Sequence, residues 1–202
     1  MKPTVEFFFD VGSPTTYLAW TQLPTLCARA GATLVYRPML LGAVFQATHN
    51  TSPAAVPAKG RYMGDDMARF ARRYGVPFAM NPHFPVNTLT LMRGATGLRE
   101  YAPAQLEAYL RATFDALWVE SQNLNDPAIA AEVLAAAGFE PSKVMGWANE
   151  DGVKAALRAT TDEAIARGVF GAPTMFVGET MFFGQDRLEF VAEALGTDPA
   201  TR

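Results

Sequence analysis

Short apolar runs lie near both ends of the 202-residue chain, with the length and composition of buried strands. The first run covers residues 4–10, TVEFFFD, and stops at a Gly-Ser-Pro turn. Helical spacing follows over residues 14–30, and a second strand, ATLVYRPM, comes after Gly31. A strand, a helix and a strand of these lengths predict a βαβ unit with parallel strands.

The middle of the chain has a helical period from residue 57 to residue 168. One buried helix face is indicated by residues three or four positions apart: Met63, Met67, Phe70 and Tyr74. Residues 127–137 form a clearly delimited helix, because Asp126 is a favoured cap and Gly138 is a stop signal. A further helix is predicted over residues 152–167.

Strand patterns return after Gly168, where PTMFVG and TMFFG flank a short turn and predict a β-hairpin. A closing helix is predicted from about Asp186 to Leu195. The fold class is therefore α/β. Residues 1–45 and 168–202 form one split domain, and residues 46–167 form a large all-helical insertion.

Composition and charge narrow the classes of partner. Half of the residues are hydrophobic and 18% are charged, so the chain can bury a large core. The formal net charge of -3 argues against a nucleic-acid partner. Glu6 and Asp10 interrupt the first apolar run, and no run approaches the roughly 20 apolar residues that span a bilayer. These features predict a cytoplasmic protein without a membrane segment.

A single cysteine and two histidines limit the chemistry that the chain can perform alone. Cys27 leaves no possibility of an intrachain disulfide or of a cysteine-based zinc site. His49 and His83 are far apart and have no carboxylate or cysteine at ligand spacing, so no catalytic metal is expected.

Ser13 stands between the first strand and the first helix and allows two interpretations. Serine is a favoured N-cap and proline is common at the first helical position, so Ser13-Pro14 can serve capping alone. The carboxyl end of a strand beside the amino end of a helix is also where anions bind. Both interpretations hold together if the oxygen caps the helix while the proton faces a ligand.

The order of elements resembles the disulfide-oxidoreductase branch of the thioredoxin superfamily, and the resemblance implies a thioredoxin-like fold. Members of that branch carry a Cys-Pro-x-Cys motif where this chain has Ser13-Pro14-Thr15-Thr16. Both sulfurs are missing, which excludes disulfide exchange at this position.

Three segments resemble the 2-hydroxychromene-2-carboxylate isomerases and the kappa-class glutathione transferases. They are FFFDVGSPTTYLAW, YMGDDMARFARRYGVPF and GVFGAPTMFVGETMFFGQDRL. The resemblance implies that glutathione supplies the missing sulfur and that Ser13 is catalytic through a hydrogen bond to its thiolate. It also implies a homodimer.

The resemblance further implies a set of glutathione contacts, which by position are Asn50, Lys59, Ala172, Pro173, Gln185 and Asp186. Pro173 would be cis and would turn the backbone of Ala172 toward the cysteinyl part of the ligand. Asp186 would meet the γ-glutamyl ammonium group, and Lys59 the glycine carboxylate. Local roles compete with these: a strand-opening proline, an acid in a first helical turn, and a solvated lysine.

Tyr62, His83 and Asn87 are candidates for the wall of a second-substrate pocket, although they can equally cap and pack the insertion. The favoured hypothesis is a glutathione-dependent isomerase that acts on a keto acid of aromatic catabolism. A kappa-like transferase or peroxidase, and a redox-inactive binding protein of thioredoxin type, are the alternatives.

Overall fold

The computed structural model describes residues 2–197. Its sheet contains four strands: β1 (Thr4–Phe9), β2 (Thr33–Pro38), β3 (Thr174–Val177) and β4 (Thr180–Phe183). They lie in the order β2-β1-β3-β4, with β1 parallel to β2 and antiparallel to β3. The antiparallel pairing of β3 with β4 confirms the predicted hairpin.

Helices make up most of the rest of the described chain. Their bounds are α1 (Pro14–Arg29), α2 (Leu41–Thr48), α3 (Pro57–Tyr74), α4 (Leu89–Tyr101), α5 (Leu106–Trp118), α6 (Pro127–Ala136), α7 (Pro141–Asn149), α8 (Asp151–Ala166) and α9 (Leu188–Ala194). None of these helices combines the length and the apolar character that a membrane crossing requires.

Three details of the sequence interpretation change. α2 was not predicted, and it runs across the proposed boundary between residues 45 and 46. α4 and α7 were not separated from the helical region around them. The closing helix begins at Leu188 rather than at Asp186, because Gln185–Arg187 forms a single 3-10 turn first.

Helices cover both faces of the sheet. Phe7 and Phe9 point into the main core, which also contains residues of α1 and of α4 and α5 from the insertion. Phe8 points to the opposite face and packs with Val44 of α2 and Ala164 of α8. This alternation is the period of a β-strand, and a strand apolar on both faces must be covered on both. Since β1 is buried on both sides, the residues that follow it are held firmly.

Candidate active site

Ser13 caps α1, as the sequence predicts. Its backbone is extended, with φ -98° and ψ 117°, and its Oγ accepts a hydrogen bond of 3.2 Å from the Thr16 amide. Pro14 occupies the first helical position, where its missing N–H costs nothing. The serine is only 5% exposed, so its hydroxyl meets protein atoms or a ligand rather than bulk water.

The carboxylate of Asp10 organises the residues that lead into this cap, 10–13, which we name the serine turn. It accepts hydrogen bonds of 2.9 Å from the amides of Gly12 and Leu41. The backbone carbonyl of Asp10 accepts a further bond of 3.1 Å from the Ser13 amide. Asp10 is 2% exposed, and burial raises the pKa of its carboxyl group despite these donors.

The insertion holds the serine turn from the other side. The Val11 amide donates to the Met92 sulfur over 3.4 Å, and the Trp118 indole donates to the Val11 carbonyl over 2.9 Å. A Cβ atom built at Gly12 would lie 2.7 Å from the Cγ2 methyl of Thr88. Close packing against the start of α4 therefore favours glycine at position 12.

Ser13 faces the residue that precedes β3. Its hydroxyl donates to the Ala172 carbonyl over 3.2 Å, and the Thr15 hydroxyl reaches the same oxygen over 3.2 Å. The two hydroxyl oxygens lie 3.0 Å apart. The peptide bond between Ala172 and Pro173 is cis, which confirms the prediction made for Pro173.

The short segment 170–173 also contacts two other predicted site regions. The Asn50 side chain donates to the Phe170 carbonyl over 2.9 Å. The Gly184 amide donates to the Pro173 carbonyl over 2.9 Å, which places Gln185 directly after a residue anchored at the cis-proline. The structure thus brings Ser13, Asn50 and the start of the Gln185 turn onto one stretch of four residues.

Gln185 is buried and is held by Tyr74, near the end of α3. The Tyr74 hydroxyl lies 2.7 Å from the Gln185 side-chain oxygen and 2.9 Å from its backbone carbonyl. Burial raises the pKa of Tyr74 to about 12, so the phenol remains a donor at neutral pH. Both residues line a groove of about 440 Å³ between α1, α3 and α9; Ser13 is not in its wall.

Asp186 and Lys59 are exposed. Asp186 forms an ion pair with Arg187 in the 3-10 turn and also lines the groove. Lys59 lies in the first turn of α3, which begins at Pro57. Neither side chain hydrogen-bonds to the segment 170–173 within residues 2–197, so their predicted ligand contacts stay predictions.

Tyr62, His83 and Asn87 are exposed, and within the described chain they make no hydrogen bond to the segment 170–173. The Tyr62 ring is 62% exposed and lies beneath the Arg69 guanidinium, 5.9 Å away. The Asn87 side chain accepts a bond of 3.1 Å from the Leu89 amide at the start of α4. Their role in a substrate pocket also stays a prediction.

Two exposed aromatic rings border the segment 170–173. Phe170 and Phe183 are 38% and 40% exposed, and their ring centroids lie 4.6 Å apart. A Cβ atom at Gly171 would lie 2.7 Å from the Phe183 ring. An exposed apolar surface therefore lies at the segment whose Ala172 carbonyl accepts from the two hydroxyl groups.

One backbone donor at this position suits a peptide ligand. The Ala172 amide donates no hydrogen bond to any residue of the described chain, 2–197, although the residue is only 9% exposed. Buried backbone donors are nearly always paired, so a ligand carbonyl is a fitting partner for this one. The residues present therefore fit a peptide-like thiol such as glutathione.

The cysteine of the chain cannot serve as the nucleophile here. Cys27 is 2% exposed in the main core, and burial raises the pKa of its thiol to about 11. Among residues 2–197 there is also no group of three or more histidine, cysteine or acidic side chains placed to hold a metal ion.

Several residues at this site were not identified from the sequence. Thr15 was noted only as part of a motif without sulfur. Asp10 was noted as an acid that interrupts an apolar run and as part of the segment FFFDVGSPTTYLAW that carries the resemblance, without a role of its own. An acid that ends a strand buried on both faces was the available signal for Asp10. Tyr74 was assigned to a buried helix face, and no local signal marks its bond to Gln185, 111 residues away.

Comparison with known proteins places the chain in a family. The model described as a DSBA-like thioredoxin domain matches residues 4–196. A 2-hydroxychromene-2-carboxylate isomerase from Pseudomonas putida is 33% identical over 197 residues, which cover 95% of this chain and 94% of that protein. Glutathione S-transferase kappa 1 from Rattus norvegicus is 31% identical over 207 residues, with coverages of 95% and 90%.

The solved structure of a 2-hydroxychromene-2-carboxylate isomerase has a TM-score of 0.84 to this one at 31% identity, covering 96% of this chain and 94% of that chain. Sequence and structure agree over nearly the whole length, which confirms the thioredoxin-like fold with a helical insertion. The chain therefore belongs to the DSBA-like thioredoxin domain family, in the group of enzymes that includes the 2-hydroxychromene-2-carboxylate isomerases and the kappa-class glutathione transferases.

Proposed function

We propose that the protein is a glutathione-dependent cis-trans isomerase that acts on a ring-opened aromatic or α,β-unsaturated keto acid. The observation that carries the proposal is the position of the Ser13 hydroxyl at the amino end of α1, 3.2 Å from the Ala172 carbonyl. The amide of Ala172, without a partner within residues 2–197, lies beside it. A cysteinyl residue paired with Ala172 as an added strand would bring its sulfur to the serine.

The energetic requirement on Ser13 is moderate. A thiol with a pKa of about 8.5 must fall by roughly two units to be mostly ionised at neutral pH, or about 2.7 kcal/mol. A helix amino terminus contributes ~0.3–2 kcal/mol, and a hydrogen bond to a charged group ~1.5–3 kcal/mol. Taken together, the two ranges bracket the required free energy of about 2.7 kcal/mol. The thiol proton passes to water as the thiolate forms.

The chemistry that bound glutathione supplies is a thiolate that bonds to a conjugated carbon, leaves the neighbouring carbon–carbon bond free to rotate, and departs when the carbon–sulfur bond breaks. The protein's residues bind glutathione and the substrate, orient them, and exclude water. Ser13 holds the sulfur ionised, and the cis-proline segment fixes its direction. Phe170 and Phe183 offer the apolar surface against which a ring can lie.

The remaining ligand contacts follow from the same pose. Asn50 and Gln185 are anchored near the segment 170–173, where a short peptide can reach them. We assign Asp186 to the γ-glutamyl ammonium group and Lys59 to the glycine carboxylate by charge. Tyr62, His83 and Asn87 would form the wall of the keto-acid pocket, in the insertion.

The experiment that tests the proposal follows the free thiol while the keto acid isomerises. Conversion of the substrate at constant thiol concentration supports an isomerase. Net loss of thiol with an electrophile such as a chloro-dinitrobenzene, without isomerisation, supports a kappa-like transferase instead. Unchanged melting temperature in millimolar reduced glutathione excludes both and favours a redox-inactive binding protein.

A homodimer and a cytoplasmic location are also part of the proposal. The single buried cysteine is compatible with a reducing compartment. Light scattering during size-exclusion chromatography measures the oligomeric state directly. A monomer at assay concentration would remove the dimer from the proposal without affecting the isomerase activity.

A further inference from the structure

We propose that Thr15 is a second catalytic hydrogen-bond donor, so that two hydroxyl groups stabilise the one thiolate at this site. This inference rests on the proposed function, because it concerns the same ligand atom.

The geometry joins three oxygen atoms in a closed triangle. The Ser13 and Thr15 hydroxyl oxygens lie 3.0 Å from each other, and each lies 3.2 Å from the Ala172 carbonyl oxygen. Thr15 is only partly buried, so a ligand can approach its hydroxyl. Because Thr15 and Ser13 point at the same atom, an acceptor placed near that atom is within reach of both.

Ligand binding would free both hydroxyl groups from their present hydrogen bonds, so that both could donate to a new acceptor. The Ala172 carbonyl accepts from the two hydroxyls in the free protein. If the cysteinyl N–H of the ligand takes that carbonyl as in an added strand, the two hydroxyls lose their acceptor. Hydroxyl protons rotate to the best acceptor available, and the adjacent thiolate is the strongest one present.

The Ser13 hydroxyl oxygen is already engaged in one hydrogen bond. Its oxygen accepts from the Thr16 amide over 3.2 Å, which fixes the direction of one lone pair and leaves a single proton to donate. Thr15 has no capping bond of this kind to a backbone amide within the described chain. A second donor therefore provides a hydrogen bond to the thiolate in addition to the one that the single Ser13 proton can make.

The test compares isosteric substitutions at two neighbouring positions. Thr15→Val removes the proposed donor while preserving shape. Thr16→Val is the matched control, because the Thr16 hydroxyl is buried and has no hydrogen-bond partner within residues 2–197. The pKa of protein-bound glutathione is measured from the thiolate ultraviolet absorbance, and affinity for S-methylglutathione is measured by calorimetry.

We expect Thr15→Val to raise the bound-thiol pKa by about one unit, on the scale of one weak charged hydrogen bond. Thr16→Val should leave that pKa unchanged, and Thr15→Ser should retain most of the wild-type value. Affinity for S-methylglutathione should be the same in all four proteins, because its sulfur cannot ionise.

Two adverse outcomes are distinguishable. If the wild-type protein binds glutathione with a lowered thiol pKa and Thr15→Val has the same value, the second donor is wrong and the proposed function stands. If the wild-type protein binds no glutathione, both are wrong.

Discussion

The indole N–H of Trp118 donates a 2.9 Å hydrogen bond to the carbonyl of Val11, although 107 residues separate them. Trp118 ends α5 in the insertion, whereas Val11 lies two residues before Ser13. Both residues are fully buried. The insertion therefore positions the serine turn directly, in addition to covering the sheet.

Trp118→Phe should remove this hydrogen bond between the insertion and the serine turn. The change leaves the Val11 carbonyl buried without a donor, which costs about 1–3 kcal/mol, and it also removes core volume. We expect lower stability in urea and a lower kcat, since the serine turn loses a support. Stability reduced with kcat unchanged would mean that the bond contributes to folding alone.

Gly12→Ala should be destabilising because of Thr88. The added methyl group would meet the Thr88 methyl at 2.7 Å, and overpacking of this kind costs about 1–3 kcal/mol. Thr88→Ser removes that methyl and keeps the hydroxyl group. The double variant should recover most of the lost stability in thermal unfolding. A double variant no more stable than Gly12→Ala would contradict this explanation.

The two roles of Ser13 can be separated with a pair of substitutions. Ser13→Ala removes the helix cap at a cost of about 0.5–2 kcal/mol, whereas Ser13→Gly costs only a few tenths of a kcal/mol. Both remove the proposed contact to the thiolate. We therefore expect different melting temperatures but equally reduced isomerase activity and equally raised bound-thiol pKa. Activity that follows melting temperature across the pair would indicate a capping role only.

Tyr74→Phe should weaken the support of Gln185. Loss of the hydroxyl group removes a bond worth about 1 kcal/mol, and the Gln185 turn becomes less well positioned. Steady-state kinetics should show a several-fold higher KM for glutathione with the bound-thiol pKa unchanged. An unchanged KM would place the Gln185 turn outside the ligand site.

Asp10 should make folding stability depend on pH in an identifiable direction. Burial raises its pKa in the folded protein above the value of 3.8 that applies when unfolded. Between these two values the folded state binds more protons, so the Asp10 contribution to stability decreases as pH rises through that window. Relative to Asp10→Asn, the wild type should be most stable in acid.

Urea titrations of both proteins from acid to neutral pH measure this difference. Other titrating groups are common to the two proteins and cancel. A free-energy difference that is constant with pH would mean that Asp10 does not titrate with a raised pKa.

Local patterns were sufficient to predict the sheet and the cap. β1 and the hairpin are short apolar runs bounded by glycine and proline, and Ser13-Pro14 is a strong start signal for a helix. α2 was missed because its sequence, LGAVFQAT, is short and begins at Leu41 without a capping side chain. Its position depends on packing over Phe8, which no local pattern reveals.

The candidate site also contains some features that could be predicted from the sequence and others that could not. The cis form of Pro173 and the position of Ser13 followed from resemblance and from local chemistry. The bond between Asn50 and Phe170 joins residues 120 apart, and the triangle of Thr15, Ser13 and Ala172 joins residues up to 159 apart. Such contacts depend on the assembled sheet, so one sequence read alone does not predict them.

The burial of Cys27 has a practical consequence. With that sulfur sealed in the core and its pKa raised to about 11, the native polypeptide contributes almost no mercaptide signal near neutrality. Any thiolate absorbance that appears when a tripeptide thiol is added therefore comes from that thiol, and the protein without it provides the baseline.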